Sequence, residues 1–139
     1  MGNTSSIIKN INFEDMQYAI NDTTSIIINT LDENNQKCLI KNTIDIDKEV
    51  EFLNAQLNKD KSIRIIIYGM NSCDTTTNKK YEQLIGFGFY NVYIYCGGLF
   101  EWLLLQDIYG KELFPTTATE SDFLKYKGRS HFNIKMLAN

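Results

Sequence analysis

One proline (Pro115), one histidine (His131) and one tryptophan (Trp102) stand in 139 residues. With so little proline and 43% hydrophobic residues, the composition is that of a globular chain, and disorder is expected only at the ends. The three cysteines, Cys38, Cys73 and Cys96, are far apart and form no CxxC pair. A single histidine cannot complete a ligand set with them, so no metal or other cofactor is implied, and the odd count fits a reducing compartment. There is no block of Lys or Arg and the net charge is −3, which argues against nucleic acid as a partner. Apolar runs such as Ile63 to Tyr68 are too short to span a bilayer. Nor does the start carry the apolar segment of a secretory signal, so the expected location is the cytoplasm.

The start carries a different signal. Met1-Gly2-Asn3-Thr4-Ser5-Ser6 fits the N-myristoylation pattern, in which an unhindered Gly2 amine accepts the acyl chain once Met1 is removed. A match this short also arises by chance, and the reading requires a eukaryotic or eukaryote-infecting source. One acyl chain binds membranes only marginally, and Lys9 is the sole cation nearby, so attachment to the cytoplasmic face of a membrane would be reversible or need a partner.

Residues 1–9 read as a flexible segment, 10–116 as one domain and 117–139 as a partly ordered extension. A short strand at Ile11 leads into an amphipathic helix bearing Phe13 and Met16. The β-branched run Thr24 to Leu31 predicts a buried strand, and Cys38 to Ile46 an edge segment, with Cys38 as a small buried hydrophobe. Asp47 is expected to cap a helix to Asn58, with Val50, Phe52, Leu53 and Leu57 inward and Glu49, Glu51 and Gln56 outward. Ser62 to Tyr68 predicts the central strand. A helix from about Thr75 follows, with Tyr81, Leu84, Ile85 and Gly88 on one face and Lys79, Lys80 and Glu82 toward water. Asn91 to Tyr95 predicts another buried strand, and Leu99 to Ile108 a helix in the core or against a partner. Phe123, Leu124 and Tyr126 suggest a last helix. This alternation predicts an α/β fold with a mostly parallel central sheet, helices on both faces, and ligands beyond the strands' carboxyl ends, at residues 69–75.

Three stretches carry a resemblance: Ile65-Ile66-Ile67-Tyr68, Gly88-Phe89-Tyr90-Asn91-Val92, and the GGxxxW pattern Gly97-Gly98-Leu99-Phe100-Glu101-Trp102. Their order and spacing resemble the rhodanese-like domain family. The resemblance implies a single rhodanese-like domain and, in active members, transfer of sulfane sulfur from a small anionic donor through a cysteine persulfide. That cysteine directly follows the strand, where this chain has Gly69 after Tyr68. Asn29-Thr30-Leu31 stands where the family often shows Asp-x-Arg, and Leu39 to Thr43 replaces an HxPGA-like segment.

The resemblance leaves three readings of the loop Gly69, Met70, Asn71, Ser72, Cys73, Asp74, Thr75. In the first, the domain lacks the catalytic cysteine and serves as a membrane-associated binding or scaffold module, with a protein partner that could dock on Leu99 to Ile108, Phe100, Tyr109 and Phe114, unless these are core. In the second, Cys73 is a displaced nucleophile activated by loop amides and the helix dipole, although the adjacent Asp74 disfavours a second anion. In the third, Cys73 to Lys79 forms a Cys-x5-Lys phosphatase loop, with lysine lacking the planar fork of arginine. Cys96, at a strand end, reads as buried packing, and His131 has no assigned role.

Overall fold

The computed structural model describes residues 7–132. Strands β1 (Asn10–Ile11), β2 (Ser25–Asn29), β3 (Arg64–Tyr68) and β4 (Val92–Tyr95) alternate with helices α1 (Phe13–Ala19), α2 (Ile46–Leu57), α3 (Thr76–Gly86) and α4 (Gly98–Tyr109). The sheet is parallel throughout, in the order β1-β4-β3-β2. β3 is therefore central, as its β-branched run requires. Its side chains alternate: Ile66 and Tyr68 join Met16, Trp102 and Leu103 beneath α1 and α4, while Ile65 and Ile67 join Leu53, Tyr81 and Leu84 beneath α2 and α3. Both faces are thus covered, as parallel sheets demand.

Local chemistry sets the helix starts. Asn12 and Asp15 form a reciprocal capping box on α1, and Asp45 accepts from the Asp47 amide ahead of α2. The cap of α2 is therefore Asp45 rather than Asp47, two residues earlier than the charge pattern suggests. Helix α2 keeps Phe52, Leu53 and Leu57 inward and Glu51 outward as expected, but Val50 is 67% exposed, whereas Glu49 and Gln56 are buried. An ion pair accounts for the burial of Glu49. Lys80 of α3 reaches Glu49 Oε2 at 2.6 Å, so this lysine, expected in water, ties α3 to α2. Gly88 lies past α3 with a φ of 101°, and so turns the chain rather than extending a helical face.

Cys38 to Ile46 does not form a continuous strand. Two isolated bridges remain, Ile27 with Thr43 and Ile40 with Thr116. The segment is held instead by the hydroxyl of fully buried Tyr68, which accepts from the Ile40 amide at 3.1 Å and lies 2.7 Å from Thr43 Oγ1. Burial pushes this phenol well above its ordinary pKa. Cys38 is buried as expected, whereas Cys96 is exposed. Trp102 is also fully buried; its indole donates to Pro115 O at 3.1 Å and its ring meets Phe114 edge-on at 5.0 Å. Phe114 is consequently core and unavailable for docking, while Tyr109 is exposed. The tail forms a 3-10 turn at Phe123–Tyr126 that buries Tyr126.

Candidate functional site

The loop after β3 lies where the central strand ends and α3 begins, in reach of unpaired amides at the helix start. Its own carboxylate occupies that position. Asp74 Oδ2 accepts from the Met70 amide at 2.9 Å, and Oδ1 accepts from the Thr76 amide at 3.0 Å. Thr76 Oγ1 lies 2.6 Å from Asp74 Oδ1 and 2.8 Å from Thr30 Oγ1, so Thr30 at the end of β2 also braces the arrangement. Asn71 takes two more amides, with its Oδ1 accepting from Cys73 at 2.9 Å and its carbonyl from Asp74 at 3.2 Å. The amides of Met70, Cys73, Asp74 and Thr76 are thereby all bound within the loop.

Gly69 fits this packing only because it has no side chain. A Cβ there would come 2.5 Å from Asp74 Oδ2, closer than real atoms approach, and a tight 3.0 Å from Thr30 Oγ1. The Gly69 and Met70 carbonyls in turn accept from the Leu99 and Phe100 amides at 2.9 and 2.8 Å, bonding the loop to the first turn of α4. Gly98, at a φ of 69°, permits that approach, since a Cβ would lie 2.8 Å from the Asn71 nitrogen. On the outer side, Asn71 Nδ2 donates to Tyr126 O at 2.9 Å, so the tail fastens the loop as well.

Cys73 is exposed, and it opens together with Cys96, Asn10, Thr77 and Asn78 into a cleft of about 270 Å³. Its Sγ would lie 3.8 Å from a Cβ at Gly128. Lys79 lines a different cleft, with Asn29, Thr30, Thr76, Lys80 and Gln83, so the Cys-x5-Lys pattern is not gathered around one ligand position. Among the described residues, no group of three or more His, Cys, Asp or Glu side chains could hold a metal. Gly2 lies outside the described residues.

Sequence reasoning marked the loop and its Asp74, but missed the inward grip of that carboxylate and the contributions of Thr30, Thr76 and Tyr126. The Asp-x-Thr pattern ahead of α3 is the readable trace, since a short acidic side chain before a helix commonly binds the first free amides.

The geometry agrees with sequence comparison. The model of the family described as the rhodanese-like domain matches residues 12–105. The chain belongs to the rhodanese-like domain family. The rhodanese-like region thus spans α1 to most of α4, and the Pro115–Tyr126 segment that fastens the loop lies beyond it. The crystal structure of the Alr3790 protein from Anabaena sp. resembles this rhodanese-like chain at a TM-score of 0.57 and 22% identity, covering 78% of this chain and 82% of that one. The solution structure of the rhodanese-like domain of the Anabaena sp. Alr3790 protein gives a TM-score of 0.57 at 18% identity, covering 96% and 94%. At such identities the likeness establishes fold alone. No curated protein matches the chain.

Proposed function

We propose that this rhodanese-like domain is a binding or scaffold module without persulfide chemistry, held at a membrane through an acyl chain on Gly2. The observation that carries the reading is the Asp74 carboxylate in the loop. Sulfur transfer in the family uses a cysteine after the strand, with loop amides stabilising an anion. Here Gly69 has no nucleophile, its Cβ position is closed by Asp74, and the amides of Met70 and Thr76 already bind a carboxylate. A second anion in that site would meet like charge.

Incubation of the full chain with thiosulfate and cyanide should release no thiocyanate above a Cys73→Ser control. Thiocyanate or a mass gain of one sulfur that vanishes in Cys73→Ser would establish the sulfurtransferase alternative, with Cys73 as nucleophile. For the lipid anchor, metabolic labelling with a myristate analogue in eukaryotic cells should mark the chain, and Gly2→Ala should lose the label. Label retained in that variant refutes acylation at Gly2.

A further inference from the structure

The sequence near Gly2 offers only Lys9 as a positive charge, yet the fold assembles a basic surface at the end of the sheet opposite the loop. All four strands begin there, because the sheet is parallel. Lys9 precedes β1, Lys59 follows α2, Lys61 precedes β3 and Arg64 opens it. Contacts hold these segments together. Lys9 Nζ donates to Tyr90 O at 3.4 Å and lies 5.3 Å from the Tyr93 ring. The Tyr90 amide donates to Lys61 O at 3.4 Å, and Lys61 Nζ lies over Gly88, 3.0 Å from where a Cβ would stand. Lys59 and Arg64 line one cleft with Asn91, and the Arg64 guanidinium lies 5.7 Å from the Tyr18 ring.

Exposed apolar groups stand among these cations: Tyr90 at 64%, Phe87 at 49% and Tyr18 at 65%. The nearby carboxylates stay ionised but are hydrogen-bonded within the protein, and Asp22 is paired with Arg64, so of these cations Lys9, Lys59 and Lys61 lie outside ion pairs. Asp60 accepts from the Ser62 amide and hydroxyl, and Asp22 from Thr24, Ser25 and Arg64. Asp15 binds the Asn12 amide. The dipoles of α2 and α3 account for single cations at helix ends. They do not account for exposed rings interleaved with three lysines outside ion pairs in a chain of net charge −3.

We propose that this end of the domain, formed by Lys9, Lys59, Lys61, Arg64, Phe87 and Tyr90, is the face that lies on an anionic lipid surface. The proposal rests on the Gly2 reading above and supplies the second signal that a single acyl chain needs for stable attachment. The chain between Gly2 and Ile7 can reach about 18 Å, enough to put the acyl group into the bilayer beside this face. Aromatic rings suit the interface and lysines the anionic headgroups, each cation near the surface adding roughly a fivefold gain in affinity. The loop with Asp74 and the cleft with Cys73 would then face away from the membrane, toward a protein partner.

The test co-expresses the full chain with an N-myristoyltransferase and sediments it with phosphatidylcholine vesicles, with or without phosphatidylserine. Binding should be at least about tenfold tighter to the phosphatidylserine vesicles and should weaken with salt. Lys9→Glu with Lys61→Glu should remove that preference while leaving acylation and the thermal midpoint intact, and Tyr90→Ser should weaken binding to both vesicle types. Equal binding of the wild type to both vesicles, or a preference that survives the charge reversal, overturns the proposal. Should mass spectrometry find Gly2 unacylated, the lipid-anchor reading fails by itself. The unacylated wild type must then still sediment with pure phosphatidylserine vesicles at low salt and lose this on charge reversal; absence of wild-type binding, or its retention in the variant, overturns the basic face.

Discussion

Restoring the family's cysteine at Gly69 should harm this domain rather than activate it. In Gly69→Cys the new Cβ would fall 2.5 Å from Asp74 Oδ2, 3.0 Å from Asp74 Cγ and 3.0 Å from Thr30 Oγ1. Relief requires the carboxylate to swing out and release the Met70 and Thr76 amides, or β3 and β2 to spread at their ends. Overpacking of this kind costs about 1–3 kcal/mol. With an unfolding entropy near 2.1 cal/mol/K per residue over 139 residues, the midpoint should drop by roughly 3–10 °C. Asp74→Gly alone loses its charge-assisted bonds and should cost about 1.5–3 kcal/mol. The double variant is the decisive measurement. If the clash with Asp74 is the cause, its penalty should fall short of the sum of the singles by at least about 1 kcal/mol in urea unfolding. The introduced thiol should also alkylate slowly in the single variant, since the adjacent carboxylate opposes the thiolate, and faster in the double. A Gly69→Cys protein as stable as the wild type, or strictly additive penalties, would refute the packing argument.

Three further outcomes follow from the same geometry. Tyr68→Phe removes the partner of the Ile40 amide and of Thr43 without changing the ring, and should lower stability by about 1–3 kcal/mol in chemical denaturation. Asp22 is held at about 2, below its ordinary 3.8, by hydrogen bonds from Ser25 and Thr24 and by Arg64, so its contribution is present above 3.8 and lost as pH falls toward 2; Asp22→Asn should flatten that part of the acid unfolding curve. A thiol reagent should modify exposed Cys73 and Cys96 quickly in the native protein, and Cys38, buried with its pKa raised chiefly by that burial, only on unfolding. Three equally fast thiols would contradict the placement of Cys38.

The strands and helices were legible because their signals are local and repeated. The β-branched Ile65-Ile66-Ile67 run marks the central strand, and Gly98 and Trp102 mark a turn and an anchor whose geometry few other residues satisfy. What escaped depends on partners distant in sequence. Glu49 reads as an outward charge until Lys80 is placed beside it, 31 residues away. Cys38 to Ile46 has strand composition, but its backbone is organised by a hydroxyl on Tyr68 and by Pro115–Thr117. Cys96 reads as buried since it adjoins a buried strand, yet the residue after a strand's end stands at the sheet's rim, where the loop leaves a cleft. The basic face is the same kind of case, gathered from Lys9, Lys59, Lys61 and Arg64 only by the parallel order of the strands.

The loop separates what this fold needs from what sulfur transfer needs. Gly98, the bonds from the Leu99 and Phe100 amides, and Trp102 hold the loop against α4 with a glycine after Tyr68. Gly69 joins that packing through its carbonyl, so the architecture stands without a nucleophile there. The amides it would have served still need a partner, because unpaired donors at a strand end beside a helix start are costly. Asp74 satisfies Met70 and Thr76 from within the chain, and Asn71 satisfies Cys73 while binding Tyr126. A loop stabilised in this way has its anion built in, which stabilises it without a bound ligand.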